Sequence, residues 1–129
     1  MTYLGRPYYP QWLDNLAEDV TLQGAAMQGT AHGAEAVRAI VVAARELYKN
    51  QEFSFTGDYG ENSFIEEYAC EIEGEPTSVV VVVHRNDAGK ATELVVNHRP
   101  RNSLLLFSRS MSKKFAGTPQ AKFFLTSDS

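Results

Sequence analysis

The sequence predicts an α+β fold, and three observations carry that prediction. Residues 33–50 and 102–115 repeat apolar side chains at helical spacing, the stretch from 52 to 98 changes to a period of two, and Pro100 ends the alternation. Helices set apart from a run of hairpin-linked strands make a layered α+β domain rather than an alternating α/β one. The expected order is helix, strand, helix, antiparallel meander, helix.

Residues 9–17 (YPQWLDNLA) are expected to form a short helix with Pro10 in its first turn and Trp12, Leu13 and Leu16 on one face. A weak strand follows at 20–28. The clearest helix is 33–50, where Ala34, Val37, Ile40, Val41, Ala44, Leu47 and Tyr48 share a face. Glu35 favours the helix dipole at its start, and Arg45 and Lys49 do so near its end. Strands are expected at 52–58, 63–73, 77–85 and 90–98. Gly57 and Gly60, the EGEP sequence at 73–76 and the NDAG sequence at 86–89 supply the turns. Leu104, Phe107, Ser108, Met111 and Phe115 mark the buried face of the last helix, which Gly117 suits as an ending.

A chain of 129 residues fits a single domain (1–129), with a core over about 9–115 and a C-terminal tail at 116–129. The net charge of −4 argues against a dedicated nucleic-acid binder, which would carry a basic footprint. One cysteine, Cys70, excludes an internal disulfide and a multi-cysteine zinc site. The three histidines show no HxH or HExxH spacing, so neither a metal nor any other cofactor is expected. No apolar run approaches a membrane span and MTYLGRPYYP does not read as a signal peptide, so a cytoplasmic protein without membrane contact is expected. Charge is uneven: residues 1–98 hold 15 acids and 6 bases, residues 99–129 hold 6 bases and 1 acid. A basic C-terminal segment beside the acidic hairpin strands is the economical arrangement.

The run Val79–Val83 does not alternate as a half-exposed strand would. If Val80 and Val82 face the helices, then Val79, Val81 and Val83 point outward, joined by Val95 on the next strand. An uncovered valine row on a broad sheet invites aggregation, so a second copy of the chain is expected to cover it. Four valines so buried would contribute on the order of 6 kcal/mol before association costs. The alternative cover is the tail at 116–129.

The segments WLDNLAEDVTLQG, HGAEAVRAIVVAARELY and RNDAGKATELVVNHRP, in this order, resemble the nuclear-transport-factor-2-like superfamily, which includes SnoaL-like cyclases and ketosteroid isomerases. NHRPRNSLLLFSRSM looks like an uncharacterised subfamily with a basic last helix. The resemblance covers about residues 10–115. It implies a strongly curved antiparallel sheet wrapped around the helices as a cone-like α+β barrel, a small-molecule pocket inside, and a homodimer through the sheet's outer face. It also implies a long first helix closing the cone's mouth, most of which is expected to be missing, because only about eight residues precede the helix at 9–17. The implied inward set is Glu66, Tyr68, Cys70 and Ile72, then Val80, Val82 and His84, then Leu94, Val96 and His98. The isomerase carboxylates do not carry over: the general base falls at Gly24, the oxyanion-binding acid at Val82, and the tyrosine before Met1. The Asp–Arg–Asp set of the epoxide-hydrolysing branch has no counterpart in the inward set either.

Glu66, Tyr68 and His98 remain as the candidate catalytic residues, with Trp12, Cys70, Val80, Val82, Leu94 and Val96 lining the pocket. A carboxyl in an apolar pocket has a raised pKa and a nearby imidazole exchanges protons near neutrality, which suits lyase or isomerase chemistry on a small apolar ligand. The bland alternative turns Glu66 outward with Glu67 and leaves His98 to loop backbone groups. Arg99 and Arg101, at the start of the last helix, form a possible anion site or pair with the acidic strands. Two functional classes therefore stand open: a ligand-binding or catalytic pocket, and a non-catalytic protein-interaction module with its pocket filled.

Overall fold

The computed structural model describes residues 1–125. Ten elements order the chain: β1 (Thr2–Tyr3), β2 (Arg6–Pro7), β3 (Leu16–Gln23), β4 (Ala31–His32), α1 (Ala34–Leu47), β5 (Lys49–Tyr59), β6 (Ser63–Ile72), β7 (Glu75–Arg85), β8 (Ala91–Arg99) and α2 (Arg101–Lys114). Short 3-10 turns at Gln11–Asp14 and Pro119–Phe123 complete it. All eight strands form one curved, unclosed sheet in the order β2-β1-β5-β6-β7-β8-β3-β4. The expected α+β class and the antiparallel meander of β5 to β8 are present.

The sheet is mixed rather than purely antiparallel, because β3 runs parallel to β8 and β1 parallel to β5. The expected helix at 9–17 is reduced to one 3-10 turn, and the expected strand at 20–28 lies at Leu16–Gln23 instead. The reason is visible in β3. Its pairing with β8 shifts register between Leu16 and Thr21, so apolar residues 13, 16, 17 and 20 fall at helical spacing although residues 16–23 are extended. Further register shifts in β5 and between β7 and β8 mark where the sheet bends.

The most consequential difference lies in β7. A two-residue turn pairs Ile72 with Glu75, and the ladder then sets Tyr68 opposite Val79 and Glu66 opposite Val81. Paired residues share a face, so Val79, Val81 and Val83 point inward and are 0%, 3% and 0% exposed. They cannot form an outer interface, and Val80 and Val82 cannot line an inner pocket. The outward row is Val80, Val82 and Val95, with Ile65 beside Val82 and Phe55 half exposed farther along. The described part of the tail, to Leu125, does not cover it. Phe124 instead packs inside, edge-on to Phe107 and stacked with Phe115, while Leu125 donates its N–H to Ser108 Oγ at 3.0 Å. Residues 126–129 of the expected tail lie outside the described residues.

The core sits between the concave face and the two helices. Val37, Ile40, Val41 and Ala44 of α1 and Phe107 and Met111 of α2 pack on Leu22, Ile72, Val79, Val81 and Leu94. None of the helices is long and apolar enough to cross a membrane. Gly24, at the end of β3, lies so close to β8 that a Cβ there would stand 1.8 Å from the Val96 carbonyl oxygen. Backbone cannot yield as a flexible side chain does. Gly24→Ala is therefore expected to destabilise the fold by at least about 2 kcal/mol in urea denaturation, against tenths for a surface substitution such as Lys90→Ala.

Candidate functional site

Side chains at every second position of β6 and β8 point into the concavity, which brings Glu66, Tyr68 and His98 to its interior. They are 1%, 5% and 6% exposed. Glu66 and His98 do not meet. They stand two strands and one side-chain repeat apart, and each has its own tyrosine. The Tyr8 hydroxyl donates a short hydrogen bond to Glu66 Oε2, and the Tyr48 hydroxyl lies 2.8 Å from His98 Nε2. An aromatic row links the two ends: Tyr8 to Phe53 at 4.4 Å between centroids, Phe53 to Tyr68 at 4.8 Å, and Tyr68 to Tyr48 at 5.5 Å. Phe107 stacks on His98 at 3.9 Å.

All of these side chains except Tyr8 border a cavity of about 60 Å³. Its walls come from Trp12, from Ile40, Val41, Ala44, Arg45 and Tyr48 around α1, from Glu66, Tyr68, Val81, Val96 and His98 of the sheet, and from Phe107 and Phe124. Met1, Pro10 and Gln51 stand in the same wall. Val81 takes the place expected for Val80 and Val82, while Cys70 and Leu94 are buried in the core away from the cavity. Arg99 is exposed and pairs with Glu67 at 3.5 Å, and Arg101 is exposed at the first position of α2. The arginines thus lie on the outside, one of them beside the acidic strands.

The cavity is electrostatically unusual for its size. Burial raises the pKa of Glu66, opposed by the Tyr8 hydroxyl, the Trp12 indole N–H and the positive charge of Arg45. Among the described residues no cation lies within ion-pair distance of this carboxyl. Burial also raises the phenols of Tyr8, Tyr48 and Tyr68 and lowers His98 to about 4, so its ring is neutral near pH 7. Two buried polar atoms have no hydrogen-bond partner: Trp12 Nε1 and His98 Nδ1. Whichever proton the tyrosine contact leaves on His98, Nδ1 is a free donor or a free acceptor in the cavity wall.

Sequence reasoning missed Tyr8 and Arg45 as members of the site. Tyr8 sits after a two-residue strand with no periodicity to report its direction, although its hydroxyl reaches across 58 positions of sequence. Tyr48 was legible as the last residue on the buried face of the helix at 33–50, but not as the partner of His98.

Solved structures share this architecture. An uncharacterised cystatin-like-fold protein from Silicibacter pomeroyi DSS-3 is 18% identical and superposes with a TM-score of 0.76, over 82% of this chain and 74% of that one. A steroid delta-isomerase from Pseudomonas aeruginosa is 15% identical with a TM-score of 0.76, over 81% and 77%. A SnoaL-like family protein from Agrobacterium tumefaciens str. C58 is 17% identical with a TM-score of 0.52, over 69% and 78%. The chain therefore has the cone-like fold of nuclear-transport-factor-2-like and SnoaL-like proteins. No protein-family model matches it, and no curated protein resembles it in sequence.

The two buried ionisable groups make opposite contributions to stability as pH changes. An unfolded histidine takes up a proton near its ordinary value of 6.5, whereas folded His98 refuses it until about 4, so stability is lost as pH falls through that window. Glu66, with its folded pKa raised, contributes most below its unfolded value and loses that contribution as pH rises toward the folded one. His98→Gln removes only the first effect. Between pH 6.5 and 4 the variant is expected to lose less stability than the parent chain, by up to about 3 kcal/mol. Urea denaturation at stepped pH measures the difference in slope.

Proposed function

We propose that this chain binds a small, largely apolar ligand in the cone, with Glu66 as the acid–base group of lyase- or isomerase-type chemistry. The observation that carries the reading is a fully buried carboxyl at the wall of a mainly aromatic and aliphatic cavity, bonded to one phenol and without an ion-pair partner among the described residues. Such groups concentrate where proton transfer is done, because burial brings a carboxyl's pKa toward the working pH. His98, neutral and with one free ring nitrogen, supplies a second point able to orient a polar atom of the ligand. The fold likeness to a steroid delta-isomerase and a SnoaL-like family protein supports a pocket function, although the isomerase residues themselves have no counterparts here. The reducing setting of the cytoplasm fits Cys70, whose buried thiol is pushed up to about 12 and is inert to oxidation in its protonated form.

One observation favours the non-catalytic reading, in which the protein is an interaction module. The cavity is small, about 60 Å³, and the bulky rings of Trp12, Phe107 and Phe124 stand in its wall. In either reading the outer face of the sheet is the proposed homodimer surface, now with Val80, Val82 and Val95 at its centre instead of the inward valines.

A screen of small apolar compounds by titration calorimetry separates the two. Under the pocket reading, Glu66→Gln and His98→Ala each weaken a bound compound at least tenfold, and any turnover falls further in Glu66→Gln. Unchanged binding in both variants refutes it. For the dimer, sedimentation of Val82→Asp is expected to give a monomer where the parent chain gives a dimer, since a charge on the covered row costs several kcal/mol per copy. A parent chain that sediments as a monomer overturns that part.

A further inference from the structure

Taking the pocket reading as its basis, we infer that the ligand is a small organic cation, a protonated alkylamine, held by Glu66 against the aromatic row. The surroundings of the carboxyl point to this guest. Glu66 is buried to 1% exposure without an ion-pair partner among the described residues. A lone buried carboxylate is costly, and a charged guest seated beside it offsets that cost where a neutral hydrocarbon does not. The groups already facing it are donors: the Tyr8 hydroxyl, and the Trp12 indole N–H close by. They favour the ionised form against the burial that opposes it, and they leave acceptor capacity on its two oxygens for a cation, since a carboxylate has about four lone-pair sites. Arg45 does not fill them. Its guanidinium lies 5.1 Å over the Tyr9 ring, toward the cavity's Met1 side.

The remaining walls suit the same guest. Phe53, Tyr68 and Tyr48 follow one another around the cavity, and aromatic faces attract an ammonium more strongly once it is desolvated. The unpartnered Nδ1 of His98, in a ring 6% exposed, gives a second polar contact on the far side. The volume of about 60 Å³ admits a guest of a few heavy atoms, since about 10–15 Å³ on the same measure holds one water. A dimethylammonium ion is of that size, with N–H groups for the carboxylate and methyl groups for the rings.

The test compares dimethylammonium with its neutral isostere, dimethyl ether, reading the fluorescence of Trp12, the chain's single tryptophan, and the heat of binding. The expected result is that dimethylammonium binds at least tenfold more tightly, and that in Glu66→Gln the ratio of the two affinities falls to within about twofold of one. Equal affinities in the parent chain overturn the inference and leave the pocket reading standing. A preference that survives Glu66→Gln also overturns it, because the cation then sits elsewhere. If neither compound binds, the inference fails together with the pocket. The ratio of the two affinities in the parent chain needs no variant, so a Glu66→Gln chain that does not fold still leaves a deciding measurement.

Discussion

The turn formed by Glu73 and Gly74 governs which way the interior of this molecule faces. Both residues adopt left-handed backbone, with φ of +48° and +83°, as a two-residue hairpin turn between twisted strands requires. Glycine meets that demand without strain. Glu73, which does not, is tied to the last helix by the Ser110 hydroxyl, which donates to its carboxylate at 3.2 Å. From this turn the ladder runs without interruption for ten residue pairs, Ile72 with Glu75 through Ser63 with His84. A slip of one residue would bring Val80 and Val82 inside and expose Val79, Val81 and Val83. The cavity, the helix-facing core and the outer apolar row all follow from that single register.

The same register explains why β7 reads as five consecutive valines. Its inner valines pack under α1 and α2 with Leu94 and Ile72, while its outer ones continue a row with Val95 and Ile65. A strand apolar on both faces carries no alternation to tell inside from outside. Orientation had to come from its neighbour β6, where Glu66, Tyr68, Cys70 and Ile72 alternate with Ile65, Glu67, Ala69 and Glu71. Counting across an even-numbered turn from Glu66 turns the odd residues of β7 inward. The information was in the sequence, but it lay in the turn rather than in the valines.

Legibility elsewhere followed how local the determining interaction is. The helices at Ala34–Leu47 and Arg101–Lys114 are specified by their own periodicity and were readable to within three residues at each end. Strand β3 was not, because its register shift against β8 imitates helical spacing, and that shift is a tertiary property. The site divides the same way. The inward directions of Glu66, Tyr68 and His98 follow from strand period, whereas Tyr8, Arg45 and the Tyr48–His98 contact depend on segments brought together only by closure of the cone. A direct Glu66–His98 pair was the natural expectation from two inward-facing titratable residues, and the register of β6, β7 and β8, which sets them two strands and one side-chain repeat apart, is what prevents it.

The buried polar groups of the core divide into two kinds, and the division bears on what the cavity is for. Thr77, Ser103 and Ser108 each donate to a backbone carbonyl, those of Glu75, Pro76 and Ala26, at 3.0, 2.8 and 2.8 Å. They finish hydrogen bonds that strand ends and helix packing would otherwise leave open, which is ordinary structural work. The groups at the cavity do no such work. Glu66 reaches no backbone donor, His98 keeps one ring nitrogen free, and the Trp12 N–H lacks a partner. A methionine at 66 and a phenylalanine at 98 would fill similar volumes without the cost of desolvating a carboxyl and an imidazole. Structural need therefore accounts for the satisfied hydroxyls and not for these three. All three residues line the same cavity, where a guest with polar atoms of its own would meet them.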